Sequence, residues 1–188
     1  MLKRIYFSQD LEDLRADEVR KLCMATPGVE GTGFFEAMSE STMAGPSTIR
    51  RQLTSALDNT QVTCVLIGTQ TASRRWVRYE IIESLQRRNV LFGVHINGVP
   101  DKSQQTKPKG PDPFQQLALA IAEDGGSVKV LLYTNGAWLQ YDDNPGWPLA
   151  NSAPPARRGK RIQLSTLYRV YDWVADNGAE NFEKWIGV

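Results

Sequence analysis

Histidine is almost missing from this chain: His95 is its only one. That leaves little material for a zinc site or a histidine-based nucleophile triad, and His95 itself, inside an apolar run, reads as structural. Cysteine is nearly as scarce. Cys23 sits in a helical pattern and Cys64 in a strand pattern, far apart in sequence. Both read as small buried hydrophobes of a reducing compartment, and Cys64 has no base paired with it that would make it a nucleophile. No apolar run approaches the roughly 20 residues that cross a bilayer. The opening Met1-Leu-Lys-Arg-Ile-Tyr-Phe-Ser8 is too short for a signal peptide, so a cytoplasmic protein without a membrane partner is expected. Charge of one sign is missing too, since 22 basic residues face 21 acidic ones. Without a basic stripe interleaved with aromatics, nucleic acid is not an expected partner.

What is present is an alternation of short apolar runs and helical patterns. Arg4 to Ser8 predicts a first strand, and Ser8-Gln9-Asp10 can cap a helix carrying Leu11, Leu14, Val19 and Leu22. Gly28 to Gly33 reads as a turn-rich loop and lacks the spacing of a dinucleotide fingerprint. Phe34 to Met38 reads as a second strand. Pro46-Ser47 opens a helix with Ile49, Leu53, Ala56 and Leu57 on one face. Val62 to Ile67 is a nearly all-apolar, β-branched run that fits a strand covered on both faces. After Gly68 and a polar turn, Ser73 is a candidate N-cap for a helix in which Val77, Ile81, Ile82 and Leu85 form one apolar arc. Val90 to Ile96 predicts the next strand. Strands alternating with helices at this pitch argue for an α/β fold with an open parallel sheet and helices on both faces.

Beyond Asn97 the pattern changes. Asn97 to Pro113 is a long loop with Lys102, Lys107 and Lys109, which could meet phosphates but read as solvated. Phe114 to Ala122 predicts a helix, and Val128 to Tyr141 a hairpin turning at Asn135-Gly136. Asp142 to Gly159 is irregular and proline-rich. Ser165 would begin a helix with Leu167, Val170, Tyr171 and Val174, capped at Gly178, before a last helical turn at Phe182, Trp185 and Ile186. The 188 residues suit a single domain, with a core over about residues 1–125 and a hairpin-and-helix extension over about 126–188.

One residue stands out for chemistry. Glu80 lies at the edge of its helix's apolar arc, just past a buried strand, and the i, i+4 spacing sets the Trp76 indole beside it. A carboxylate there sits where open α/β sheets bind ligands. Glu83 points further round and pairs with Arg87 as a surface ion pair of a few tenths of a kcal/mol. A lone carboxylate falls short of the pair that glycosidases use. It suffices at the nicotinamide–ribose bond of NAD, whose leaving group is already cationic and departs neutral; a single carboxylate then stabilises the positive charge moving onto the ribose. Asn97, at a strand end, could hydrogen-bond a ligand or cap a turn.

The segment Asp58-Asn-Thr-Gln-Val-Thr-Cys-Val-Leu-Ile-Gly-Thr-Gln-Thr-Ala-Ser-Arg-Arg-Trp-Val-Arg-Tyr-Glu-Ile81 resembles the TIR-like proteins of the bacterial Thoeris antiphage system. So do Lys3-Arg-Ile-Tyr-Phe-Ser8, the stretch Gly93-Val-His-Ile-Asn97 and the run Lys109-Gly-Pro-Asp-Pro-Phe114. Trp76 to Glu80 fits the Trp-x-x-x-Glu pattern of many bacterial TIR proteins. Residues 9–23 and 36–46 depart from the family. The resemblance implies a flavodoxin-like TIR fold that cleaves NAD, releases nicotinamide and makes a cyclic ADP-ribose-type signal. By that diffusible nucleotide it would reach a separate effector protein upon phage infection. It implies NAD as substrate with no cofactor and no metal, TIR self-assembly, and a phage protein as trigger. Glu80 takes the place of the family's catalytic glutamate, and Phe7 that of the aromatic residue bordering the nicotinamide–ribose side. Ser8, Trp76 and Asn97 are further pocket candidates. Two alternatives stay open: a non-catalytic TIR-like assembly module, and a transferase acting on nucleosides.

Overall fold

The computed structural model describes residues 2–33 and 45–187, so the strand expected over Phe34 to Met38 lies outside the described residues. Along the chain, β1 (Lys3–Gln9) leads to α1 (Leu14–Met24), β2 (Val29–Gly33), α2 (Pro46–Leu57), β3 (Val62–Ile67), α3 (Arg75–Gln86) and β4 (Val90–His95). Then come β5 (Leu117–Ile121), β6 (Ser127–Thr134), β7 (Ala137–Gln140), β8 (Gly146–Pro148), β9 (Arg161–Gln163), β10 (Val170–Asp172) and α4 (Gly178–Trp185). Two compact units result. One joins Met1–Pro111 to Val170–Val188, and the other is Asp112–Arg169. The boundary therefore falls earlier than the expected core limit near residue 125, and the last residues return to the first unit.

In the first unit the strands run β10-β4-β3-β1-β2, all parallel. This is the doubly wound, flavodoxin-like order, with its fifth place filled by a strand from near the C-terminus. Val62 to Ile67 is buried at every position, as its all-apolar run demands of a central strand. Gly28 to Gly33, expected as a loop, contributes β2, which pairs with β1 from Lys3↔Val29 to Phe7↔Gly33. The helix expected over residues 165–177 is also absent. Leu164–Thr166 forms a 3₁₀ turn, and Val170–Asp172 adds to the sheet beside Gly93–His95. Apolar spacing there imitated a helix, but β-branched and aromatic residues beside an open parallel edge pair as a strand. Gly178 opens α4 rather than closing a helix, because a Cβ there would lie 2.3 Å from the Trp173 ring.

Strand alternation splits the first unit's core. Ile5 and Phe7 face a cluster with Val19, Cys23, Phe92 and Phe182. Within it the Phe7 ring stacks on Phe182 with centroids 6.4 Å apart. The long loop after β4 is anchored by Arg15, only 3 % exposed, which pairs with Asp13 at 3.3 Å and donates to the carbonyls of Val99 and Gln105, each at 2.8 Å. Gly110 allows this loop to lie against the turn after β3, since a Cβ on it would fall 2.0 Å from the Gly68 carbonyl oxygen.

The second unit is an antiparallel sheet ordered β7-β6-β5-β9, with β8 also on β6. The hairpin turns where expected, with Asn135 and Gly136 at φ 51° and 80°, as a type I′ turn requires. Phe114 to Ala122 is not a helix. Leu117-Ala-Leu-Ala-Ile121 pairs with β6 on one side and β9 on the other. Its Leu/Ala composition favours helix, but its period of two suits a strand, and pairing on both edges decides the outcome.

Candidate functional site

The site is built by β1 and α3. Tyr6 and Ser8, two residues apart, project from one face of β1 toward α3. The Tyr6 hydroxyl donates to Oε1 of Glu80 at 2.7 Å, and the Ser8 hydroxyl donates to its Oε2. Both carboxylate oxygens are thus held by neutral donors from one rigid strand. A second set of bonds sets the rotation of α3. The Ser84 hydroxyl donates to the Glu80 carbonyl at 2.7 Å and accepts from Thr63 of β3 at 2.8 Å, while Asn89 donates to Thr63 at 3.2 Å. The helix begins at Arg75 rather than at a Ser73 cap, because Thr71–Ser73 forms a 3₁₀ turn in which the Ser73 hydroxyl donates to the Gln70 carbonyl at 2.7 Å.

Glu80 is 4 % exposed. Burial pushes its pKa from the ordinary 4.5 up to about 7, against the opposing pull of the Ser8 and Tyr6 hydrogen bonds. Burial, reinforced by the neighbouring carboxylate, also drives the Tyr6 phenol well above its usual value, so it remains a donor. A carboxyl poised near neutrality, desolvated and fixed at both oxygens, can place negative charge in a low-dielectric site without reorganising.

Glu80 lines a cleft of about 320 Å³ together with Phe7, Gln9, Asp10, Trp76 and others. Ligand sites span roughly 300–1,000 Å³, so this one admits a piece of nucleotide size. Trp76 forms a wall, edge-on to Tyr79 at 6.0 Å, with the Arg75 guanidinium 4.8 Å above its ring. Arg74 pairs with Asp10 at 3.0 Å and with Glu12. This joins the loop after β1 to the start of α3 along the cleft.

The expected residues divide. Glu80, Ser8 and Trp76 come together here, Ser8 through its bond to Glu80. Phe7 reaches the cleft, but its ring is 1 % exposed and points to the opposite face of the sheet, so its side chain does not border the space beside Glu80. Asn97 is not among the residues lining the cleft; its Oδ1 is buried without a hydrogen-bond partner among the described residues. Glu83 and Arg87 are no loose surface pair. With side chains 11 % and 23 % exposed, they meet at 2.6 Å, and Arg87 also reaches Asp58 at 3.4 Å, tying α3 to the end of α2. The sequence does not single out Tyr6, and it marks Gln9 only as part of a helix cap. The period-two alternation of β1 was the available signal for Tyr6, since it shares a face with Ser8.

Among the described residues no helix is long and apolar enough to cross a membrane. A solved structure titled "Structure of the activated Roq1 resistosome directly recognizing the pathogen effector XopQ (TIR domains)" aligns at 16 % identity over 50 % of this chain and 57 % of its own, with a TM-score of 0.36. A Bacillus cereus (strain MSX-D12) protein named "Putative cyclic ADP-D-ribose synthase ThsB1" is 40 % identical over 191 residues, covering 99 % of this chain and all of that protein. The family model described as Thoeris protein ThsB, TIR-like domain, matches residues 7–101. With Glu80, all of β3 and β4 and the end of β1 inside the matched span, and the relative aligned from end to end, this chain belongs to the TIR-like ThsB proteins of Thoeris systems.

Proposed function

We propose that this chain cleaves NAD at the nicotinamide–ribose bond and closes the remaining ADP-ribose into a cyclic signal. The observation that carries the reading is the Glu80 carboxyl, buried at the cleft and held at both oxygens by Tyr6 and Ser8. The name of the 40 % identical relative supports it. In the first step the C1′–N bond breaks, and its electron pair stays on the pyridine nitrogen, so nicotinamide leaves neutral and needs no general acid. Positive charge passes to the ribose, opposite the ionised Glu80. In the second, a nucleophilic atom elsewhere in the same ADP-ribose attacks C1′, gives up its proton and closes the ring; water attacking instead gives open ADP-ribose. Trp76 walls the cleft and disfavours water. Tyr6 and Ser8 keep Glu80 oriented and favour its ionised form.

The product would act as a diffusible messenger to a separate effector in the cytoplasm, with a phage protein as trigger and TIR self-assembly completing the site around the rest of the dinucleotide. The test is incubation of purified protein with NAD under phage-derived activation, with chromatography for nicotinamide and cyclic product. Equal nicotinamide release by wild type and Glu80→Gln would overturn Glu80's role. The non-catalytic assembly module draws on the half-exposed Tyr133 and Leu139 of the second unit. It releases no nicotinamide in the same incubation.

A further inference from the structure

Gln9 is the last residue of β1, lines the cleft with Glu80 and Trp76, and is 9 % exposed. Its Nε2 donates to Asp17 Oδ1 of α1 at 3.1 Å. Asp17 is in turn paired with Arg20 at 3.5 Å, so the acceptor on which the Gln9 amide rests is itself held. A carboxylate can only accept, which fixes the Gln9 amide with its nitrogen toward α1 and its carbonyl turned away. That carbonyl oxygen, Oε1, is buried and has no donor among the described residues. Buried side-chain acceptors almost always have a partner, so one that lacks it beside a ligand cleft asks for a donor from the ligand.

Strand alternation adds position. Ser8 turns its hydroxyl to Glu80. Gln9, next in the chain, starts from the face that Phe7 occupies, but at the open end of the strand, where it lines the cleft from which the Phe7 ring turns away. The two side chains therefore bracket the C-terminal end of β1. A pyridine ring seated over that end, with its ribose toward Glu80, carries its 3-substituent toward Gln9. We propose that Gln9 is a specificity residue: its side-chain carbonyl accepts a hydrogen bond from the N–H of the departing ring's 3-carboxamide. This rests on the NAD-cleaving reading above. A ring with the same shape but no donor at that position leaves Oε1 unpaired, the situation in which polar sites discriminate most strongly.

The probe pair is nicotinamide and 3-acetylpyridine, which are both neutral and differ in one NH₂ replaced by CH₃. Neutrality matters because Asp10, Glu12 and Glu80 around the cleft would repel nicotinate whatever Gln9 does. Saturation-transfer NMR titrations of the full chain should show nicotinamide bound at least tenfold more tightly than 3-acetylpyridine. Gln9→Leu should bring that ratio to within about twofold of one, because the variant no longer offers an acceptor that only nicotinamide can satisfy. Gln9→Met, which keeps the length of the side chain, serves the same purpose if Gln9→Leu fails to fold. Equal binding of both rings to wild type, binding of neither, or an undiminished preference in the Gln9 variants overturns the proposal. Its failure is separable from that of the enzymatic reading. A protein that shows the preference yet never releases nicotinamide from NAD keeps Gln9's role and loses the cyclase assignment; one that cleaves NAD without the preference does the reverse.

Discussion

Glu80→Gln should abolish nicotinamide release and at the same time strengthen the fold, the second effect growing with pH. In the unfolded chain Glu80 loses its proton near 4.5, whereas in the folded protein it holds the proton until about 7. Between those values the folded state binds more protons, so the stability contributed by the neutral carboxyl is complete below 4.5 and is lost as pH rises through 7. The interval corresponds to ~3 kcal/mol. Glutamine has no proton to lose. Its amide can also satisfy the same neighbours, accepting from one hydroxyl and donating to the oxygen of the other. The stability difference between variant and wild type should therefore widen by about 3 kcal/mol from about pH 4.5 to about pH 8, or roughly 6–12 °C in Tm for a chain of this size. Urea unfolding of both proteins across that range measures it. A difference that stays constant within about 1 kcal/mol would refute the placement of Glu80 as a desolvated carboxyl, whatever the activity does.

Tyr6→Phe removes the donor to Oε1 and should raise the Glu80 pKa further. The midpoint of the rate–pH profile should then move up by about one unit or more, with activity recovered on the alkaline side and KM little changed. A uniformly lowered, unshifted profile would assign Tyr6 a merely structural part. Arg15→Met should cost about 3–5 kcal/mol by leaving the buried Asp13 without its guanidinium and freeing the carbonyls of Val99 and Gln105. Hydrogen exchange should show the loss concentrated at residues 97–107. Gly110→Ala should destabilise by about 1–3 kcal/mol, because the new Cβ meets the Gly68 carbonyl and the loop must shift. Chemical denaturation checks it, and an unchanged midpoint would deny the close approach.

Short-range chemistry alone determined a good part of this protein. The apolar run Val62 to Ile67 could only be a covered strand, Asn135-Gly136 could take the positive φ angles of its hairpin, and the Trp76–Glu80 spacing put a carboxylate beside an indole on one helix face. Those features depend on residues a few positions apart. What tertiary structure decided depends on partners far along the chain. Tyr6 and Ser8 meet Glu80 across more than 70 residues, and that meeting turns a helix-edge carboxylate into a buried one. The same sheet sent the Phe7 ring to the opposite face and left Asn97 out of the cleft. It also made a pairing strand of Val170–Asp172, whose spacing imitated a helix. In the other unit, the Leu/Ala run of β5 became a strand because neighbours were available on both edges. Local pattern states which faces are apolar, but only the assembled sheet supplies the hydrogen-bond partners and the loss of water that choose among the conformations that pattern allows.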